Sequence, residues 1–496
     1  MTGVERSVVD GVPVFSAGGR ERTTAALVFG VGLRDETFAT IEVTHLVEHL
    51  AMSALPRTHL RCNAVTDVDS TAFFATGRPE AVGAFLETVC RALGDLPTER
   101  LAAEAGVLRA EGCGTGSSTV SALWAARYGL TGPGLTVSSG PGPEHLTEET
   151  VRAHAARWFV RANAALWCHG PLPAGLRLPL PDGPRPVRTL PVPRPQDGPV
   201  WTRTDAPGVG LLLATDTPTD AALAVGVDVL QDRLRERARH ARGLSYAVDS
   251  LTLDLAPGRR EVAVVVDART GRDGEVADLV WQVLGELCAT GPTPAEVAHA
   301  VAGLEAELDD EDAVGTELAD AAYCAATGLP FRPAAATLAA WRAVTPAAVT
   351  AALRRAEPTA VLAVPDTAAW DGPAGTARRP LCGIAPGLPA GTRFRPPWHR
   401  RLLDRAARVA LVVSGDGLAH RDADGDVHGV PWSRVEALVP TDDGRGVTVV
   451  SRDLCCVRVH PDLYGDRAVA AVTGRVPPAA LLSRPRAAEP DTVPAG

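Results

Sequence analysis

The sequence predicts an α+β protein of two similarly planned halves followed by a small β unit. Three observations predict it. Through the first 365 residues, strand-length apolar runs alternate with segments whose apolar residues recur at a helical period. A Pro-rich stretch at 171–199 divides this part, and the order strand, helix, strand begins again after it. Beyond a second Pro/Gly-rich stretch at 366–397, the pattern changes to short strands separated by Gly/Asp turns. The expected segments are therefore 1–170, a linker at 171–199, 200–365, a linker at 366–397, a β unit at 398–485 and a disordered tail at 486–496.

Composition narrows the class. The chain has 496 residues, enough for several full-sized cores. Its 46% hydrophobic and 22% charged content is ordinary for folded proteins and excludes wholesale disorder. All 49 basic residues are Arg, a compositional bias more than a functional signal. A formal charge of −10 argues against nucleic-acid binding as the main role. Nine Cys without paired spacing point to a reducing compartment, and Cys455-Cys456 reads as part of a buried strand. No basic segment followed by an apolar run opens the chain, and no eighteen consecutive residues are apolar. A cytoplasmic protein without stable membrane insertion is expected.

The elements follow in order. Residues 8–15 and 23–31 read as strands around the turn Ala17-Gly18-Gly19. A helix then carries Thr44-His45-Leu46-Val47-Glu48-His49-Leu50, and strand-like runs follow at 62–66 and 69–75. Val82, Phe85, Leu86, Val89 and Leu93 mark a helix over 80–93, and another spans about 98–111. The glycine-rich run 112–116 follows a helix and lacks a Lys, so it reads as a plain loop and not a phosphate cradle. Helices around 124–129 and 146–158 and a closing strand at 163–170 complete the first half. In the second, 208–215 is a strand, 221–240 a helix and 243–248 the lead into another strand. Five Arg between 233 and 242, interspersed with Glu236, read as a solvated helix face. Thr345-Pro346 opens a helix that leads to a strand at 360–364. In the last unit, six short strands and a helix over 463–472 predict an antiparallel barrel capped by one helix.

Chemistry concentrates in one place. His45 and His49 stand four apart, so both imidazoles leave one helix face and can share a tetrahedral zinc. Glu48 sits one residue before the second His, where it can reach a water held at that metal and take its proton. With 12 His in the chain, chance supplies this H-x-x-E-H pattern about 0.02 times per sequence. A third ligand is still needed. Glu104 and Glu111, two helical turns apart, offer one carboxylate for the metal and one to orient a histidine.

The set His45, Glu48, His49, then Asn63-Ala64-Val65-Thr66, Thr71, Glu104 and Glu111 resembles the pitrilysin/insulinase family of zinc metallopeptidases. The resemblance implies two α/β-sandwich domains and one Zn2+ per chain. It makes His45, His49 and Glu111 the ligands, Glu48 the general base and Glu104 the support of the site. It further implies that Asn63, Ala64 and Thr66 lie on an edge strand to which substrate adds as a β-strand. Arg239 and Tyr246 match an Arg and a Tyr of the family's second domain. Tyr246 would donate to the oxyanion, and Arg239 would bind a substrate carbonyl or the peptide backbone. One departure is a shorter His49-to-Glu111 spacing, where a family helix between Met52 and Asn63 shrinks to a loop.

Two-domain relatives close as pairs of chains, so a homodimer, or a heterodimer with a relative, is expected, with Arg239 and Tyr246 acting in trans. The last unit resembles a pleckstrin-homology-like domain for protein contact, since no basic patch for lipid stands out. Two functions follow. The chain is a zinc endopeptidase acting on peptides or unfolded segments, or a silent relative serving as scaffold or partner subunit. The completeness of the residue set favours the first.

Overall fold

The computed structural model describes residues 4–112, 118–217, 220–399 and 408–482. The glycine-rich run expected as a plain loop falls largely outside them, as does the tail expected to be disordered.

The first half folds around one mixed sheet. Its strands are β1 (Glu5–Val9), β2 (Val12–Ala17), β3 (Thr23–Phe29), β4 (Arg61–Thr66), β5 (Thr71–Gly77) and β6 (Ala164–His169), in the order β1-β2-β6-β3-β5-β4. Only β2 and β6 run parallel. The single strand expected at 8–15 is in fact the turn of a hairpin. Asp10 and Gly11 both take positive φ, +48° and +86°, and Asp-Gly is a two-residue hairpin signal that the sequence reading passed over.

Among the described residues, this half has the helices α1 (Val43–Ser53), α2 (Pro79–Gly94), α3 (Leu101–Ala110), α4 (Thr119–Tyr128) and α5 (Glu148–Trp158). Val43, Leu46 and Leu50 of α1 and Phe85, Leu86 and Val89 of α2 are buried in one core with Trp158 and the sheet residues Leu27, Phe73 and Leu166. Each such side chain contributes about 1.5–3 kcal/mol.

The second half repeats the plan. Its sheet is β7 (Val200–Thr204), β8 (Val209–Thr215), β9 (Val248–Ala256), β10 (Arg259–Val266), β11 (Val361–Pro365) and β12 (Ala377–Arg378), ordered β12-β7-β11-β8-β10-β9. Setting aside β1 and β12, each sheet places its first strand parallel to its last and reads first, fifth, second, fourth, third. The helices are α6 (Ala221–Leu234), extended by a π-helical stretch (Arg235–His240), then α7 (Asp273–Ala289), α8 (Pro294–Leu308), α9 (Ala313–Thr327), α10 (Ala334–Arg342) and α11 (Pro346–Ala356).

Each half gives one helix to the other. Leu318, Ala321, Ala322 and Ala326 of α9 are buried against Phe15, Ala17, Val28 and Ala165 on the free face of the first sheet. Leu123, Trp124 and Ala126 of α4 are buried against Val200, Leu212, Ala263 and Val361 of the second. Buried polar groups lock both seats. The Tyr128 hydroxyl donates to buried Glu261, whose other oxygen lies 3.2 Å from Arg127 Nε. In the reciprocal place the Tyr323 hydroxyl donates to buried Asp69.

The stretch 171–199 is an extended strap without helix or strand. Leu178 and Leu180 are buried in the first core, Arg188 pairs with Asp35 at 2.9 Å, and Arg185 donates to the carbonyls of Ala325 and Ala326.

In the last unit the expected barrel is corrected. Four strands, β13 (Thr392–Phe394), β14 (Ala410–Val413), β15 (Gly417–Arg421) and β16 (Val427–Pro431), form one sheet. A second holds β17 (Val435–Pro440), β18 (Val447–Ser451) and β19 (Cys456–Val459). A short 3-10 turn, Trp432–Arg434, separates β16 from β17, so the ladder does not close. Helices α12 (Pro461–Tyr464) and α13 (Asp466–Thr473) cap the core through Tyr464, Ala468 and Val472. The cysteine reading is corrected as well. Cys455 lies just before β19 and Cys456 is exposed on it; Cys455 forms a disulfide with Cys382, 73 residues away, which removes the argument for a reducing compartment. This unit docks on the first half, where Ala437 and Val450 meet Phe38, Ile41, Leu130 and Leu135. Among the described residues, no helix is long and apolar enough to cross a membrane.

Candidate metal centre

The local sequence explains the pose of α1. Leu46, Val47 and Leu50 pull one face into the core and leave His45 and His49 on the face toward α3. Their rings stand 4.8 Å apart, edge to face. The helix starts at Glu42, a non-glycine residue in the left-handed region at φ +76°. Such a residue costs about 1–3 kcal/mol and persists only when its surroundings hold it. Here Glu36 accepts hydrogen bonds from the backbone N–H of Glu42 and of Thr44, both at 2.9 Å, and so occupies the unpaired helix N-terminus. Burial pushes the Glu36 carboxyl up to about 8, against the two N–H bonds that pull it down.

Glu111 caps the end of α3 and points its carboxylate at both rings. Its Oε2 lies 3.9 Å from His45 Nε2 and 3.6 Å from His49 Nε2, and one donor atom from each of the three residues falls within 4.8 Å of the others. The opposite ring nitrogens face carboxylates. His45 Nδ1 is 2.9 Å from Glu42 Oε2, which fixes its proton on Nδ1 and leaves the Nε2 lone pair free. His49 Nδ1 is 3.6 Å from Glu104 Oε2, a charge contact longer than a hydrogen bond. Glu104 is itself gripped by Arg100 through Nε at 3.0 Å and Nη2 at 2.7 Å.

Glu48 is buried and its Oε2 lies 3.9 Å from His45 Nε2. Burial raises its carboxyl, opposed by the neighbouring His45 and by a 2.9 Å hydrogen bond from the Thr66 hydroxyl. For His45, burial acts downward, but the Glu42 hydrogen bond and the charges of Glu48, Glu42 and Glu111 outweigh it, and the imidazole titrates above its ordinary value. Thr44 is fixed from below by His154 at 3.0 Å, which burial and Arg157 push down to about 3 and keep neutral.

Strand β4 is the open edge of the first sheet. It carries Asn63 exposed, Ala64 buried and Thr66 half-buried, and among the described residues its backbone pairs only with β5. Of these, Thr66 serves the site directly, through Glu48. Arg239 and Tyr246 are brought together elsewhere. The guanidinium carbon lies 5.3 Å from the Tyr246 ring centre, and Tyr246 is 76% exposed. The backbone N–H groups of Tyr246 and Ala247 donate to Asp267 at 2.7 Å, which shapes the turn. Among the described contacts, neither residue reaches α1 or α3.

Sequence reasoning missed Glu36 and Glu42. Glu42 had a signal, an acid one turn before the first histidine; Glu36 had none, because it acts through a fold-back of the chain. The donor set fits zinc: two imidazole nitrogens, one carboxylate, and an acid behind each ring.

No protein-family model matches the sequence, and no curated protein does. Solved structures do. A peptidase M16 inactive domain from Pseudomonas fluorescens matches with TM-score 0.60 and 17% identity, over 74% of this chain and 100% of that one. The fold is that of M16 peptidases. A protease from Helicobacter pylori matches with TM-score 0.61 and 14% identity, over 73% of this chain and 99% of its own. Pitrilysin matches with TM-score 0.54 and 14% identity, over 73% of this chain and 46% of its own. At these identities the M16 likeness is one of fold.

Proposed function

We propose that this chain is a zinc-dependent endopeptidase. The observation that carries the reading is the convergence of His45, His49 and Glu111 around a common point, with buried Glu48 beside them. A zinc ion bound there would polarise the scissile carbonyl and acidify a water. Glu48, raised by burial and aimed by Thr66, is the group that would take a proton from such a water and pass it to the leaving nitrogen. Peptide adds to the free edge of β4, whose unpaired backbone groups bind any extended sequence and so favour flexible or unfolded segments. Metal analysis tests the reading: the purified chain should carry close to one zinc, and His49→Ala should lose it. Digestion of a peptide library, read by mass spectrometry, then supplies the specificity.

Exposure of Tyr246, away from the histidines of its own chain, supports action across a homodimer or a heterodimer with a relative. In that arrangement Tyr246 donates to the oxyanion and Arg239 holds the peptide backbone at the partner's centre. Mixing Glu48→Gln chains with Tyr246→Phe chains should restore part of the activity, since each mixed dimer would hold one intact composite site of its two. A mixed dimer without recovered activity would sink this arrangement. The second reading, a silent scaffold or partner subunit, is favoured by the similarity to a domain described as inactive. A chain that holds zinc but leaves every library peptide intact, alone and mixed with a relative, would establish it.

A further inference from the structure

A second group of metal-ligating side chains lies in the C-terminal unit, on elements the proposed chemistry does not use. We propose that Cys382, Cys455 and His428 form a redox-gated zinc site, a disulfide when oxidised and a Cys2His centre when reduced. The sulfurs and a ring nitrogen lie within 4.8 Å of one another, and His428 Nδ1 is 3.1 Å from Cys382 Sγ. Two further features belong to a metal or thiolate site more than to a structural crosslink. His428 Nε2 is 3.1 Å from Asp422 Oδ2, which places the ring proton on Nε2 and turns the Nδ1 lone pair toward the sulfurs. Asp422 is itself held by the backbone N–H groups of Asp424, Gly425 and Asp426. On the other side the Gly383 N–H points at Cys455 Sγ from 3.0 Å, a donor that stabilises a thiolate.

The backbone keeps these groups in place without the crosslink. Ala385 N donates to Val427 O at 2.7 Å and Gly429 N to Gly383 O at 3.1 Å, so the segment that carries Cys382 lies along β16. Cys455 is 1% exposed, immediately before β19. Reduction by a dithiol breaks the S–S bond, moves two electrons and two protons to the cysteines, and leaves the reductant as its own disulfide. Binding a divalent ion of the zinc class then releases the two thiol protons. Two thiolates and the His428 Nδ1 lone pair fill three tetrahedral positions, and water takes the fourth. Because the sulfurs join residues 73 apart, either state ties the chain trailing the second sheet to the unit that docks on Phe38 and Ile41.

The test uses the full chain and cobalt(II), whose thiolate-to-metal charge-transfer band arises only where sulfur is a ligand. The His45, His49 and Glu111 centre holds no sulfur, so the two sites report separately. The oxidised chain should give no band and should yield a Cys382–Cys455 linked peptide. After reduction the band should rise to one equivalent, vanish in Cys382→Ser, and persist in a His45→Ala/His49→Ala double variant. Asp422→Asn, which acts only through the orientation of His428, should weaken cobalt affinity about 10- to 100-fold with the band retained. A reduced, folded chain in which both cysteines alkylate but no band appears would overturn the proposal. Loss of the circular-dichroism signature of the fold on reduction would overturn it equally, because the reduced state must hold its shape to bind.

Discussion

The two halves share a strand order and an exchanged helix, yet among the described residues only the first gathers a group of side chains that could hold a metal. In the first, α1 turns His45, Glu48 and His49 toward α3 and Glu111. In the second, three arginines on and after α6 are spent on neighbouring acids: Arg233 on Glu296 at 2.7 Å, Arg237 on Glu286 at 2.8 Å, Arg235 on Asp232 at 2.9 Å. The lesson is that the plan of the sheet sets where a site can stand, while a few side chains decide whether one does.

The comparison breaks most sharply at Glu48. Glu48→Gln should lower turnover about 10²- to 10⁴-fold while zinc content stays unchanged, as measured by peptide hydrolysis and metal analysis on one preparation. A loss of metal in that variant would instead make Glu48 a ligand. Next come the exchanged helices. Glu261→Gln removes the charge facing buried Arg127, which keeps only its bonds to the Leu212 and Thr359 carbonyls, and should destabilise the chain by about 3–5 kcal/mol in denaturant unfolding. Tyr323→Phe, at the reciprocal seat, removes one hydroxyl from Asp69 and should cost about 1–3 kcal/mol. If the order of these two costs inverts, α9 and not α4 is the tighter clasp.

The last effect is read as a slope with pH, at Glu36. Its carboxyl rises from 4.5 to about 8 on folding, so over that window the folded chain keeps a proton that the unfolded chain has released. Stability contributed by this group must therefore fall as pH rises through the window, by no more than about 1.4 kcal/mol per pH unit. Unfolding measured at several pH values in chelator should show a steeper downward slope for the native chain than for Glu36→Gln. An equal slope would mean that Glu36 folds ionised, held by the α1 N-terminus.

Much of the site was legible because its spacing is local. His45 and His49 share a face by helical geometry alone, and Glu104 and Glu111 do so by the same rule. The strands of the last unit were legible from alternation, but their division into two open sheets was not, since alternation fixes which face a residue takes and not which strand lies beside it. The Asp10-Gly11 turn was written in the sequence and overlooked.

By itself, then, the sequence determined the α+β class, the repeat of plan and the pair of histidines with Glu48 between them, all products of short-range periodicity. Only the tertiary structure decided that Glu111 meets both rings, that α4 and α9 change places, that Glu36 closes the start of α1 and that Cys382 finds Cys455. Each of these joins residues whose separation carries no periodic signal, and packing of the whole chain is what selects such contacts.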